Sequence, residues 1–174
     1  MTSDPALPAR LRWAALTEDA LAARLRTLAR WLRADPQRAN LLITLQGDLG
    51  AGKTTFVRHL LRALGVTGRI KSPTFALVEP YELTLGAHTL PAWHADLYRF
   101  DDPREWTEAG LAELFAGPGL KLVEWPERAG VALGRPDVAV RLAAGADDER
   151  RDIELHALSP LGLAVLDALR HDDA

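Results

Sequence analysis

The chain has 174 residues, 48% of them hydrophobic and 26% charged, which suits one folded domain over 1–174 and excludes wholesale disorder. It contains no cysteine, which excludes disulfide scaffolds, thiolate metal sites and cysteine nucleophiles. Net charge is −3 and unevenly divided: residues 1–75 carry 12 basic and 5 acidic side chains, residues 76–174 carry 9 and 19.

Residues 1–12, rich in Pro, Ala and Arg, read as a loose, flexible tail. At Thr17 the pattern turns helical, with Thr17 as N-cap and Glu18 and Asp19 at the positive end of the helix dipole. Leu21, Leu25, Leu28 and Leu32 then repeat along one face, with Arg26, Arg30 and Arg33 opposite, until Asp35-Pro36 stops the helix. Asn40 to Gln46, NLLITLQ, is an apolar run of strand length. GDLGAGKT follows directly, and TFVRHLLRALG reads as a second helix burying Phe56, Val57, Leu60, Leu61 and Leu64, with Gly65 as its stop.

SPTFALVEPYEL and TLPAWHADLYRF read as two extended segments joined through TLGAH, an antiparallel pair. Asp101-Asp102-Pro103 opens a helix to about Phe115, with Gly110 as a break, and GPG separates it from LKLVEW, a strand ending on a carboxylate. PDVAVRLAAG and RRDIELHAL alternate with period two around GADDE, a hairpin, and Ser159 caps a closing helix, SPLGLAVLDALR. Interleaved helices and strands with two antiparallel pairs predict an α/β domain with a mixed parallel and antiparallel sheet.

Gly47, Asp48, Leu49, Gly50, Ala51, Gly52, Lys53 and Thr54 match the phosphate-loop pattern G-x-x-x-x-G-K-[ST], Walker A, at every fixed position, and Thr55 follows. Glycines let consecutive backbone amides curl around a polyphosphate, and the following helix aims its positive end at it. Lysine reaches the terminal phosphates and the hydroxyl of Thr54 supplies a magnesium ligand. The expected fold is therefore a three-layer, P-loop NTPase-like domain. Its magnesium site needs an acid, and acids at strand ends beside the loop are the candidates: Glu124 closing LKLVE, and Asp96 in HADLYR. Either can bind Mg²⁺ or hold the attacking water, and spacing does not separate them. Ser72 and Thr74 in KSPTF can face the terminal phosphate, although S-P-T is equally a plain turn. Trp125 and Trp93 can line the pocket or simply fill the core, and His94 reads more readily as a structural hydrogen-bond partner than as a proton acceptor. His59, on the second helix, reads as structural. No N-K-x-D or T-K-x-D stretch is present to read guanine, which favours ATP.

GDLGAGKTTF, KSPTF with LVEPY, H-x-DLYR and LVEWPER, in this order and over about residues 11–170, make the chain resemble the bacterial TsaE family. Members are small ATPases of tRNA threonylcarbamoyladenosine biosynthesis. The resemblance implies that Thr54 and Glu124 serve Mg²⁺, that Asp96 lies at the catalytic centre, and that Ser72 to Phe75 form a switch segment. It gives Trp125 a functional position and brings Thr17 to Asp19 near the adenine. It further implies an ATPase that keeps a TsaD–TsaB complex cycling and meets tRNA only through that complex. A domain that binds nucleic acid by itself is usually basic, which this one is not. The N-terminus lacks a signal-peptide order and no apolar run spans a bilayer, so the expected location is the cytoplasm. Two rivals fit the phosphate loop alone: a small-molecule kinase using Arg128 and Arg135 on a lid, and a nucleotide-gated binding protein with little catalysis.

Overall fold

An apolar run without alternation must be covered on both faces, and this decides the architecture around residues 40–46. In the computed structural model, which describes residues 9–73 and 76–171, that run forms β2 (Leu42–Gln46) at the middle of a seven-stranded sheet. The strands are β1 (Arg10–Thr17), β2, β3 (Val78–Leu85), β4 (His88–Asp96), β5 (Leu120–Glu124), β6 (Val138–Ala144) and β7 (Arg150–Ala157), in the spatial order β1-β7-β6-β2-β5-β4-β3. The four central strands, β6, β2, β5 and β4, are parallel, and β7, β1 and β3 are added antiparallel at the two sides. The expected mixed sheet is thus observed, with both antiparallel pairs, β3–β4 and β6–β7, where the sequence puts them.

Helices cover both faces. On one face α1 (Glu18–Ala34), α2 (Lys53–Ala63) and α5 (Pro160–Arg170) bury Leu25, Leu28, Leu32, Phe56, Val57, Leu60 and Leu166 against Ile43, Leu45, Leu122 and Val140 of the sheet. On the other, α3 (Arg104–Glu108) and α4 (Leu111–Ala116) pack Trp106 and Leu111 against Ala95 and Val123. Thr17 caps α1 by accepting from the Ala20 amide, and Ser159 caps α5 by accepting from the Gly162 amide. Gly110 divides α3 from α4 in a left-handed conformation, φ 71°. Asp137 joins two layers at the lower edge: one carboxylate oxygen accepts from the Leu42 amide at 2.9 Å, the other from the Ser159 hydroxyl at 2.5 Å.

The expected tail over 1–12 is corrected. Residues 1–8 lie outside the described residues, but from Arg10 the chain is a strand paired antiparallel to β7, and Trp13 of that strand is buried. The register slips between Trp13 and Leu16, where Ala15 has φ 52°, so β1 carries no clean alternation for a sequence reading to detect.

The parallel block places the carboxyl ends of β2, β5 and β4 side by side. Leu45 lies opposite Glu124, and Glu124 opposite Asp96. The three motif segments therefore meet at one edge of the sheet, where ligands of open α/β sheets bind.

Candidate active site

The link from β2 to α2 is built from residues with unusual backbone freedom. Gly47 has φ 153°, and a side chain there would stand 2.4 Å from the Leu142 carbonyl oxygen, so only glycine fits against β6. Gly52 is left-handed, φ 102°, and α2 starts behind it with no side-chain cap. The first-turn amides of α2 are thereby turned to the loop's concave side, as an anion requires.

Lys53 opens α2 and is only 4% exposed. Its ammonium donates to the carbonyls of Gly47 at 2.5 Å and Asp48 at 2.8 Å, and stands 4.1 Å from the centroid of the Trp125 ring. Burial holds its pKa below the ordinary lysine value, while the carboxylates of Glu124, Asp96, Glu127 and Asp48 pull the other way.

The two strand-end acids occupy different surroundings. Glu124 is 2% exposed; its Oε1 accepts from the Thr54 hydroxyl at 2.8 Å and lies 2.7 Å from His94 Nε2. Asp96, on the next strand, accepts from the Ser72 hydroxyl at Oδ2 and from the Tyr98 amide at Oδ1, 3.0 Å away. Glu124 thus faces the start of α2, and Asp96 faces the segment before β3. Spacing left these two equivalent; their partners separate them. Trp125 follows Glu124 with φ 57°, which ends β5 and turns its ring over Lys53, 5.0 Å from the Tyr98 ring.

Two clefts flank the loop. One of about 370 Å³ is lined by Leu49, Gly50, Lys53, Thr54, Ser72, Asp96, Tyr98, Glu124 and Trp125. The other, about 600 Å³, opens between the start of α1 and the β6–β7 hairpin, with Leu16, Thr17, Glu18, Asp19, Leu142, Arg151 and Ile153 on its walls. Gly52 and Thr55 line both. Most of the residues singled out in the sequence therefore border these two spaces, although Thr74 lies outside the described residues. Trp93 does not join them; it sits beside Pro80, Tyr81 and Pro91 at the β3–β4 edge. His59 approaches Glu18 at the wide cleft's rim, Nε2 to Oε1 2.8 Å.

The sequence reading missed Tyr98, Arg151, Leu142 and Ile153. Tyr98 was within reach, two residues past Asp96 in the same motif. The hairpin residues carried no signal, because they reach the loop only through the β2–β6 pairing.

A family model described as "Threonylcarbamoyl adenosine biosynthesis protein TsaE" matches residues 17–153. The chain belongs to the TsaE family. TsaE of Haemophilus influenzae is 38% identical over 128 residues, which cover 74% of this chain and 77% of that protein. TsaE of Bacillus subtilis is 39% identical over 109 residues, 63% of this chain and 65% of that protein. Both carry the name tRNA threonylcarbamoyladenosine biosynthesis protein TsaE. The crystal structure of YdiB from Bacillus subtilis superposes with a TM-score of 0.73 at 26% identity, covering 98% of this chain and 100% of that one. The first and last residues of the family match, Thr17 and Ile153, both line the wide cleft.

The residues at the TsaE loop mouth also fit a magnesium ion. Thr54 and Glu124 offer a hydroxyl and a carboxylate already 2.8 Å apart, and Asp96 adds a second carboxylate on the adjacent strand. These are hard oxygen donors, few enough to leave positions for phosphate and water, as Mg²⁺ prefers.

Proposed function

We propose that the chain is a Mg-dependent ATPase of the tRNA threonylcarbamoyladenosine pathway, hydrolysing ATP so that a TsaD–TsaB complex can cycle. It reaches tRNA through that complex and turns over slowly without it. The observation that carries the reading is the phosphate loop standing in the shared wall of two clefts. The wide one has the size for a nucleoside and mixed walls, with Leu16, Leu142 and Ile153 beside Thr17, Glu18, Asp19 and Arg151, and the narrow one holds a lysine, a hydroxyl and two carboxylates.

In this reading the nucleoside lies between the start of α1 and the hairpin, while the loop amides and Lys53 take the phosphates. The ammonium of Lys53 now rests on the carbonyls of Gly47 and Asp48, acceptors that phosphate oxygens replace. Thr54 and Glu124 hold Mg²⁺, which when bound neutralises charge on the terminal phosphates. Asp96 orients the attacking water, and its link to Ser72 couples that water to the segment before β3. Most of the acceleration is electrostatic, because phosphoryl transfer needs positioned charge more than covalent help. Family membership supports the pathway, and the negative overall charge suits action on a protein partner.

The test is release of ADP and phosphate from MgATP by the purified protein, alone and with TsaD–TsaB and tRNA, with Lys53→Ala as control. Stimulation of the wild type and silence of the variant are expected. Equal turnover with and without the partners would remove the pathway role. Phosphate appearing on a second small molecule rather than in water would replace it with the kinase reading.

A further inference from the structure

Glu124 is gripped from two elements. Thr54 at the start of α2 and His94 on β4 both reach the same oxygen, Oε1. His94 is wholly buried, lies on the strand next to β5, and shares a sheet face with Asp96 two residues on. Its Nδ1 has no hydrogen-bond partner among the described residues. Nε2, which faces a carboxylate oxygen, is therefore the ring nitrogen placed to carry the N–H. In that tautomer Nε2–H donates to Glu124.

We propose that His94 is a positioning residue for the cation-binding carboxylate, its Nε2–H fixing the plane of Glu124 so that the carboxylate is oriented for metal before any arrives. The inference rests on the MgATP reading above. One donor leaves a carboxylate free to swing about its terminal torsion, and two donors from separate elements do not. A hydroxyl that ligates a cation through its lone pair keeps its proton for Glu124, so both contacts persist when the site fills. Contacts of this kind behind a metal ligand typically change affinity for the metal by roughly 10–100-fold when removed.

The experiment measures the affinity of the full chain for adenylyl-imidodiphosphate by calorimetry, in EDTA and in excess Mg²⁺, and compares the ratio of the two. His94→Phe should lower that ratio by roughly tenfold or more and leave the EDTA affinity unchanged. His94→Gln, whose amide nitrogen reaches the place of Nε2, should keep most of it, and His94→Asn, which reaches only the place of Nδ1, should not. An unchanged ratio in folded His94→Phe would overturn the assignment. So would equal ratios for Gln and Asn, the pair that decides the matter if the Phe variant does not fold. A wild-type affinity indifferent to Mg²⁺ would overturn the metal reading, and this inference with it; a wild-type response with no change in the variants would overturn the role of His94 alone.

Discussion

Replacing Thr54 by valine exchanges a hydroxyl for a methyl at nearly constant volume and β-branching, so helix α2 and its packing should persist. What is lost is the 2.8 Å donation to Glu124 Oε1, one of two contacts on a carboxylate that is 2% exposed. A hydrogen bond to a charged group contributes roughly 1.5–3 kcal/mol. Thr54 itself is half-buried and water can partly substitute, so the lower end, about 1.5 kcal/mol, is the reasoned cost. For a chain of this size that corresponds to a fall in Tm of about 3–6 °C. The same hydroxyl is the proposed magnesium ligand, so the ratio of nucleotide affinities with and without Mg²⁺ should fall towards one. Differential scanning calorimetry reads the first effect and titration with a non-hydrolysable ATP analogue the second. A variant that melts several degrees lower yet keeps the wild-type response to Mg²⁺ would refute the ligand role. One unchanged in both would refute the contact.

Lys53→Ala should abolish turnover and weaken nucleotide binding, because among the described residues no other cation lines the narrow cleft; wild-type affinity by calorimetry would contradict this. Asp96→Asn keeps an acceptor for the Ser72 hydroxyl and should spare binding while lowering turnover; an equal loss of both would show that Asp96 binds rather than positions. Trp125 emission should change when a nucleotide draws Lys53 from its place 4.1 Å from the ring, and a signal flat through saturation would contradict that displacement. Gly162→Ala tests packing alone. Helix propensity favours alanine by about 1 kcal/mol, but the new methyl would stand 2.0 Å from the Asp137 carbonyl oxygen, so a net loss of about 1–3 kcal/mol in denaturant unfolding is expected. A stabilised variant would show that α5 shifts freely.

The elements that were legible in sequence are those whose signals are local. The leucine repeat and Thr17 cap of α1, the period-two hairpin of β6 and β7, the Gly110 break and the phosphate loop are each recognised within one short, continuous stretch of chain. The start of β1, Arg10 to Arg12, reads as tail because a bulge at Ala15 interrupts the strand's alternation and its partner β7 lies far along the chain. His94 looked like any lone histidine, since its meaning depends on Glu124, thirty residues away.

Sequence by itself determined which groups the chain carries: a loop of glycines, a lysine and a hydroxyl in the phosphate-loop pattern, and two strand-end acids. Only the tertiary structure decided how they are shared. Parallel pairing of β2, β5 and β4 set Glu124 between Leu45 and Asp96, and the start of α2 then brought Thr54 to Glu124 and not to Asp96. The addition of β6 beside β2 carried the hairpin to the loop and made the second cleft. Beyond the two hairpin pairs, sheet order is a matter of long-range packing, fixed when buried faces close on one another, and no local pattern encodes which strands distant in sequence become neighbours.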